Sequence, residues 1–405
     1  MIKQGKEISL RFLSLLAVLF LVVATGCTTK QTGIVQNSEA PLIPTRLMNT
    51  PADYEKLGVN PDLIEPWEDG RRDDGRPGAY EWWYFDMILD DGTAVVIIFK
   101  DKYAGNPDGP MSPYVQFEVT LPTGEHFHED FAVGVDEAFF NTESCEIRLG
   151  ELASLTGDLK TYEIAINPVN GLGIELVLES MSSPWRPGSG YIGFGEEEED
   201  YFTWLCSVPR GRVHGQLTVK GETRDISGFG YHDHQWGTVP PLMIWNHWFW
   251  IRQAFEDYSI LIFDFVANAD CGFARYPLVF VQDAEGNIVF EGKGDIEETD
   301  FTVDKEYVQE ATGKLVPGAF TYTFRDGKST VVYSMESQRE LSAQDNYSMA
   351  PPEVRALFDQ AGIKPSYTRW VGHGTLELDL DGLTSRQEGD AIYEMIFPGS
   401  KYRDY

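Results

Sequence analysis

Short runs of Val, Ile, Phe, Tyr and Thr recur along the chain and predict strands, as at Ala94 to Phe99, Tyr258 to Phe265 and Leu278 to Val281. Turn signals separate them: Asp91-Gly92, Thr123-Gly124, Glu285-Gly286-Asn287, Asp326-Gly327 and Asp381-Gly382. This rhythm predicts an all-β protein of sandwiches or barrels, not a βαβ fold. Helical periodicity is confined to Pro352–Ala361, where Val354, Leu357, Phe358 and Ala361 share a face before Gly362 and Pro365. The acidic block Glu196-Glu197-Glu198-Glu199-Asp200 reads as a solvated loop.

The chain has 405 residues, and a single core stops growing near about 250–300, so two domains are expected. A seam at Val239-Pro240-Pro241 would give domains over residues 51–239 and 240–405. With 64 acidic against 32 basic residues the net charge is −32, which argues against nucleic acid and against a polybasic grip on anionic lipid.

The first 26 residues have signal-peptide grammar. Lys3, Lys6 and Arg11 precede the apolar run Phe12 to Ala24, too short for a membrane span of ~20 residues. Ala24-Thr25-Gly26-Cys27 then resembles a bacterial lipoprotein cleavage box, which would make Cys27 the lipidated first residue and place the protein in the cell envelope. An ordinary secretory leader is the alternative. Cleavage would move the charge to −34, since three bases and one acid leave. Residues 27–50 are polar and proline-punctuated, as in a tether. Cys145, Cys206 and Cys271 have no zinc spacing, and one disulfide of unassigned pairing is allowed.

Candidate chemistry concentrates in three segments. Gly228–Gly237 contains Tyr231-His232-Asp233-His234-Gln235-Trp236; Glu81-Trp82-Trp83-Tyr84-Phe85-Asp86 is aromatic between two acids; Trp245–Arg252 adds His247, Trp248 and Trp250. If extended, the first segment puts His232, His234 and Trp236 on one face and Tyr231, Asp233 and Gln235 on the other. Burial beside aromatic rings would raise the Asp233 carboxyl. A structural network of the same residues is the alternative. His126-Phe127-His128 and His232-Asp233-His234 each place two imidazoles on a strand face, but neither helical HExxH nor paired Cys/His spacing accompanies them, so neither metal nor cofactor is expected. No G-x-S-x-G nucleophile elbow and no phosphate-cradling loop occur.

Together, Glu81-Trp82-Trp83-Tyr84, Tyr201-Phe202-Thr203, Gly230-Tyr231-His232-Asp233-His234-Gln235-Trp236-Gly237 and Trp248-Phe249-Trp250 resemble the carotenoid hydratase (hydroxyneurosporene synthase) and attachment-protein-H-like proteins, a group similar to kievitone hydratases and fungal Diels–Alderases. The resemblance spans about residues 60–400. It implies two tandem lipocalin-like β domains with a cavity for an apolar ligand, and catalytic roles for His234 and Trp236. On that basis Asp233 would protonate an alkene, with His234 as relay. Trp82, Trp83, Tyr84 and Trp236 would face the cation, each ring worth roughly 0.5–2 kcal/mol. Tyr231, His247, Trp248, Trp250 and Glu81 complete the expected ligand contacts. A pericyclase using the same walls, a non-catalytic binding or attachment lipoprotein, and a secreted hydrolase are the competing expectations.

Overall fold

The computed structural model describes residues 42–102 and 108–403. The leader, Cys27 and most of the tether lie outside them. The fold is all-β, built from two curled antiparallel sheets. The first runs edge to edge from His126–Ala132 through Tyr114–Thr120, Ala94–Lys100, Tyr80–Leu89, Glu222–Gly237, Asp200–Val219, Leu172–Ser180, Thr161–Val169, Ala153–Gly157 and Cys145–Leu149 to Ala138–Phe140. The second runs from Ile288–Lys293 through Arg275–Asp283, Tyr258–Ala267, Trp245–Ala254, Leu383–Ile396, Tyr367–Leu380, Ser329–Gln344 and Leu315–Asp326 to Thr299–Val308. All five turn signals join hydrogen-bonded neighbours, and their glycines take the left-handed backbone such turns need, as Gly92 at φ 85° does. Among the described residues no helix is long and apolar enough to cross a membrane.

Three expectations change. The tether ends before residue 50, because Thr45–Leu47 pairs with Tyr191–Phe194 and Thr50 caps the helix Pro51–Leu57. Arg46 fastens this segment, donating to both carboxylate oxygens of Asp53 (2.7 and 2.6 Å) and pairing with Glu198. Glu198 also meets Lys56 at 3.2 Å, so one member of the acidic block is a fastener and not merely solvated. Cys145, Cys206 and Cys271 are all buried and free, so no disulfide forms. The helix Pro352–Ala361 buries Val354 and Phe358 as its period predicts, although Ala361 is exposed.

Strict alternation sends side chains to three cores. The concave side of the first sheet collects Trp83, Phe85, Met87, Phe117, Tyr162 and their neighbours. The second sheet has its own core around Phe249, Phe320, Tyr322, Trp370 and Tyr393. The third lies between the sheets, where Trp204 meets Phe263 at 4.7 Å and Phe202 meets Phe265 at 4.9 Å, both edge to face. Such ring pairs add about 0.5–1.5 kcal/mol each beyond burial, which holds the two sheets together.

Candidate functional site

Two of the segments singled out in the sequence are hydrogen-bonded neighbours. Tyr80–Leu89 pairs antiparallel with Glu222–Gly237 in the register Glu81 to Trp236, Trp82 to Gln235, Trp83 to His234, Tyr84 to Asp233, Phe85 to His232 and Asp86 to Tyr231. Residues directly opposite in such a pair point to the same side. The motif therefore has two faces with different chemistry.

The inner face is a buried network of charges. His232 donates from Nδ1 to the Tyr84 carbonyl (2.9 Å) and reaches Asp69 Oδ2 from Nε2 (3.2 Å). A backbone carbonyl can only accept, so Nδ1 carries the proton toward Tyr84. Tyr162 also donates to Asp69 Oδ2. His234 Nε2 donates to Glu81 Oε1 at 2.7 Å, and Glu81 is itself fixed by the backbone amides of Arg72 (2.6 Å) and Asp73 (2.8 Å). Burial works against ionising Asp69, but the charge and hydrogen bond of His232, with His234 close by, hold its carboxyl well below the usual range. Burial likewise opposes a charged His234, and the carboxylates of Asp69 and Glu81 outweigh it, raising the pKa. Aromatic faces complete the enclosure: Phe85 stacks on His232 at 3.9 Å and Trp83 on His234 at 4.5 Å.

The outer face turns toward the second sheet. Asp233 is 2% exposed and accepts from Tyr231 Oη (2.8 Å) and Trp204 Nε1 (3.1 Å) at Oδ2, with the Gln235 amide 3.3 Å from Oδ1. Burial pushes its carboxyl up, the donors from Tyr231 and Trp204 pull it back, and the balance is about 6. Gln235 beside this carboxyl is half-buried, and Tyr84 and Asp86 of the first sheet lie close to Tyr367, Arg369 and Glu394 of the second. Arg252 pairs with Asp86 and lies 5.1 Å over the Tyr231 ring; Arg369 pairs with Glu394 at 2.6 Å. Desolvation first, then nearby acids, pushes the phenols of Tyr84 and Tyr367 far up, yet both keep accessible surface.

The predicted residues thus divide. Asp233, Tyr231, Trp82, Tyr84, Trp248 and Trp250 gather at the inter-sheet face. Glu81, Trp83, His234 and Trp236 are buried on the opposite, inner face. The relay from Asp233 to His234 does not form, because neighbours on a strand leave opposite sides. His247 is inside the second sheet with Asn246 Oδ1 at 2.8 Å and the Phe249 and Phe397 rings, and burial lowers its pKa to about 3. Sequence reasoning missed Asp69, Tyr162, Trp204 and the two arginines. Asp69 closes a single turn, Pro66–Asp69, with no motif around it; Trp204 directly follows the Tyr201-Phe202-Thr203 segment, and that adjacency was its only signal.

Among the described residues, two groups of side chains offer metal-donor atoms within 4.8 Å of one another: Asp69, Cys145 and His232, all buried, and Glu118, His126 and His128 near a sheet edge. In the second, hydrogen bonds to Asp130 and Glu118 push His128 up to about 10.

A Diels-Alderase-like family model matches residues 151–325, from the middle of the first sheet into the second. The quinolone epoxide rearrangement protein asqO of Emericella nidulans is 24% identical over 227 residues, 53% of this chain and 60% of that protein. A hydroxyneurosporene dehydrogenase of Chlorobaculum tepidum is 24% identical over 206 residues, 44% of this chain and 54% of that protein. The chain thus spans less than two thirds of either curated relative. Among solved structures, an AttH-type protein of Nitrosomonas europaea superposes with a TM-score of 0.56 at 15% identity, covering 84% of this chain and 97% of that one. That likeness concerns the fold alone. Over residues 151–325 the chain is thus similar to the Diels-Alderase-like proteins, and over about half its length to these curated relatives.

Proposed function

We propose that the protein binds an apolar, polyene- or isoprenoid-like small molecule between its two sheets and moves a proton on it at Asp233. The observation that carries this reading is the Asp233 carboxyl, buried against aromatic rings and poised near 6. A group near neutrality can give a proton and take it back. Protonating an alkene carbon leaves a carbocation on the substrate and a carboxylate on Asp233. Water addition then gives an alcohol, and loss of a neighbouring C–H proton gives an isomer; in either case the released proton returns to Asp233. The rings of Trp82, Tyr84 and Trp248 supply faces toward such a cation. One relative's name, a quinolone epoxide rearrangement protein, supports rearrangement of a small organic molecule as the reaction class.

The test is incubation with candidate polyenes in deuterium oxide and in heavy-oxygen water. Enzyme-dependent deuterium or heavy oxygen in the product supports the reading, and label in neither sinks it. A non-catalytic binder is the second reading, favoured by the three side chains, Trp204, Tyr231 and Gln235, that already donate to the Asp233 carboxylate. It predicts ligand retention without label.

The envelope address is part of the same proposal. Its support is the leader grammar ending at Cys27, with lipid at that cysteine as the membrane partner. Metabolic labelling with a fatty-acid analogue, lost in Cys27→Ser, tests it.

A further inference from the structure

We infer that Asp69, Cys145 and His232 form a buried site for one divalent transition-metal ion of the Zn2+ class, separate from the inter-sheet face. Their carboxylate oxygen, thiol sulfur and imidazole nitrogen lie within 4.8 Å of one another. An oxygen, sulfur and nitrogen set of this kind suits Zn2+ or Co2+ and excludes Mg2+ and Ca2+, which want oxygen alone.

The surroundings are those of a ligand set. His232 gives its Nδ1 proton to the backbone carbonyl of Tyr84, which fixes the ring and leaves Nε2 as the atom facing Asp69. The neighbouring His234 is fixed in the same way, with Nε2 held by Glu81 and Nδ1 directed at Asp69 Oδ1 from 3.4 Å. That contact is not a hydrogen bond: Asp69 Oδ1 and His234 Nδ1 are both fully buried and both lack a hydrogen-bond partner. Unpaired buried polar atoms are costly, and a cation beside Asp69 removes the cost for its oxygen. Charge also balances. A divalent ion would meet one carboxylate and one thiolate, with neutral His232 as the third ligand. The thiol proton of Cys145 leaves as the ion binds, so its two positive charges meet two negative ligands.

The experiment uses Co2+, whose thiolate complexes absorb in the near ultraviolet. The full chain carrying Cys27→Ser, Cys206→Ser and Cys271→Ser keeps Cys145 as its only thiol. After treatment with a chelator it should take up one equivalent of Co2+ with a thiolate band, and Zn2+ should erase that band. Adding Cys145→Ser should abolish the band and weaken Zn2+ binding by at least ~100-fold, beyond the 10–100-fold that loss of a supporting partner costs. No thiolate band in the single-thiol protein overturns the site without reliance on the last variant. Metal binding lost through His126→Ala and His128→Ala, and retained in Cys145→Ser, overturns it equally.

Discussion

His232 and Asp233 are chain neighbours whose side chains enter different compartments: the imidazole meets Asp69 inside the first sheet, and the carboxyl meets Trp204 and Tyr231 between the sheets. Strand alternation alone causes the separation. Substitutions on the two faces should therefore fail in different ways.

Asp233→Asn should fold and retain an apolar ligand within a few-fold. Proton exchange into that ligand should fall by about 10²–10⁴-fold, the usual contribution of a positioned acid or base. Deuterium incorporation followed by mass spectrometry, alongside ligand titration, measures both. Equal loss of binding and exchange would make Asp233 a structural residue.

The same residue sets a pH dependence of stability. Its folded pKa, about 6, lies above the ordinary 3.8, so folding favours the protonated form. The stabilisation is complete below about 4 and is lost as pH rises through about 6, with a ceiling of ~3 kcal/mol. Asp233→Asn cannot ionise, so its stability relative to the parent should climb between pH 4 and 7. Urea unfolding at several pH values would show this, and a difference that stays flat would refute it.

Asp69 behaves oppositely. Its carboxyl is held low by His232 and His234, so its contribution is present above the ordinary carboxylate range and lost as pH falls below it. Asp69→Asn removes the buried carboxylate that faces His232 and His234 and should cost about 3–5 kcal/mol. Thermal and urea unfolding of the variant are the measurements.

Trp82 and Trp83 offer a test by adjacent residues. Trp83 is 1% exposed, stacks on His234 and donates to the Asp69 carbonyl at 2.9 Å; Trp82 is half-buried against the inter-sheet core. Trp83→Ala should destabilise the fold by about 3–5 kcal/mol. Trp82→Ala should leave most stability intact and weaken apolar-ligand binding by about tenfold or more, as loss of a buried aromatic anchor does. Fluorescence titration and melting curves separate the two.

The strands were legible because alternation and turn chemistry are local: each Asp-Gly or Asn-containing turn marks a hairpin, and Tyr258–Phe265 reads as a strand without outside help. The two faces of Tyr231–Trp236 were legible for the same reason. What lies opposite each face was not. Asp69 meets His232 across 163 positions, and Trp204 meets Asp233 through a bulged register that no local pattern announces. The Asp233-to-His234 relay failed because adjacency in sequence is separation across a sheet. His247 shared an aromatic neighbourhood with Trp248 and Trp250, but alternation turned it to the far side.

The second sheet is completed by its last strand. Leu383–Ile396 pairs with Trp245–Ala254, across more than a hundred residues, and carries Glu394 to Arg369 and to the neighbourhood of Tyr84. During synthesis the first sheet can therefore close around its buried charges while Trp82, Tyr84 and Tyr231 still face water. That exposed aromatic wall waits for the final tenth of the chain, so the nascent protein is most prone to self-association just before its C-terminal strand arrives.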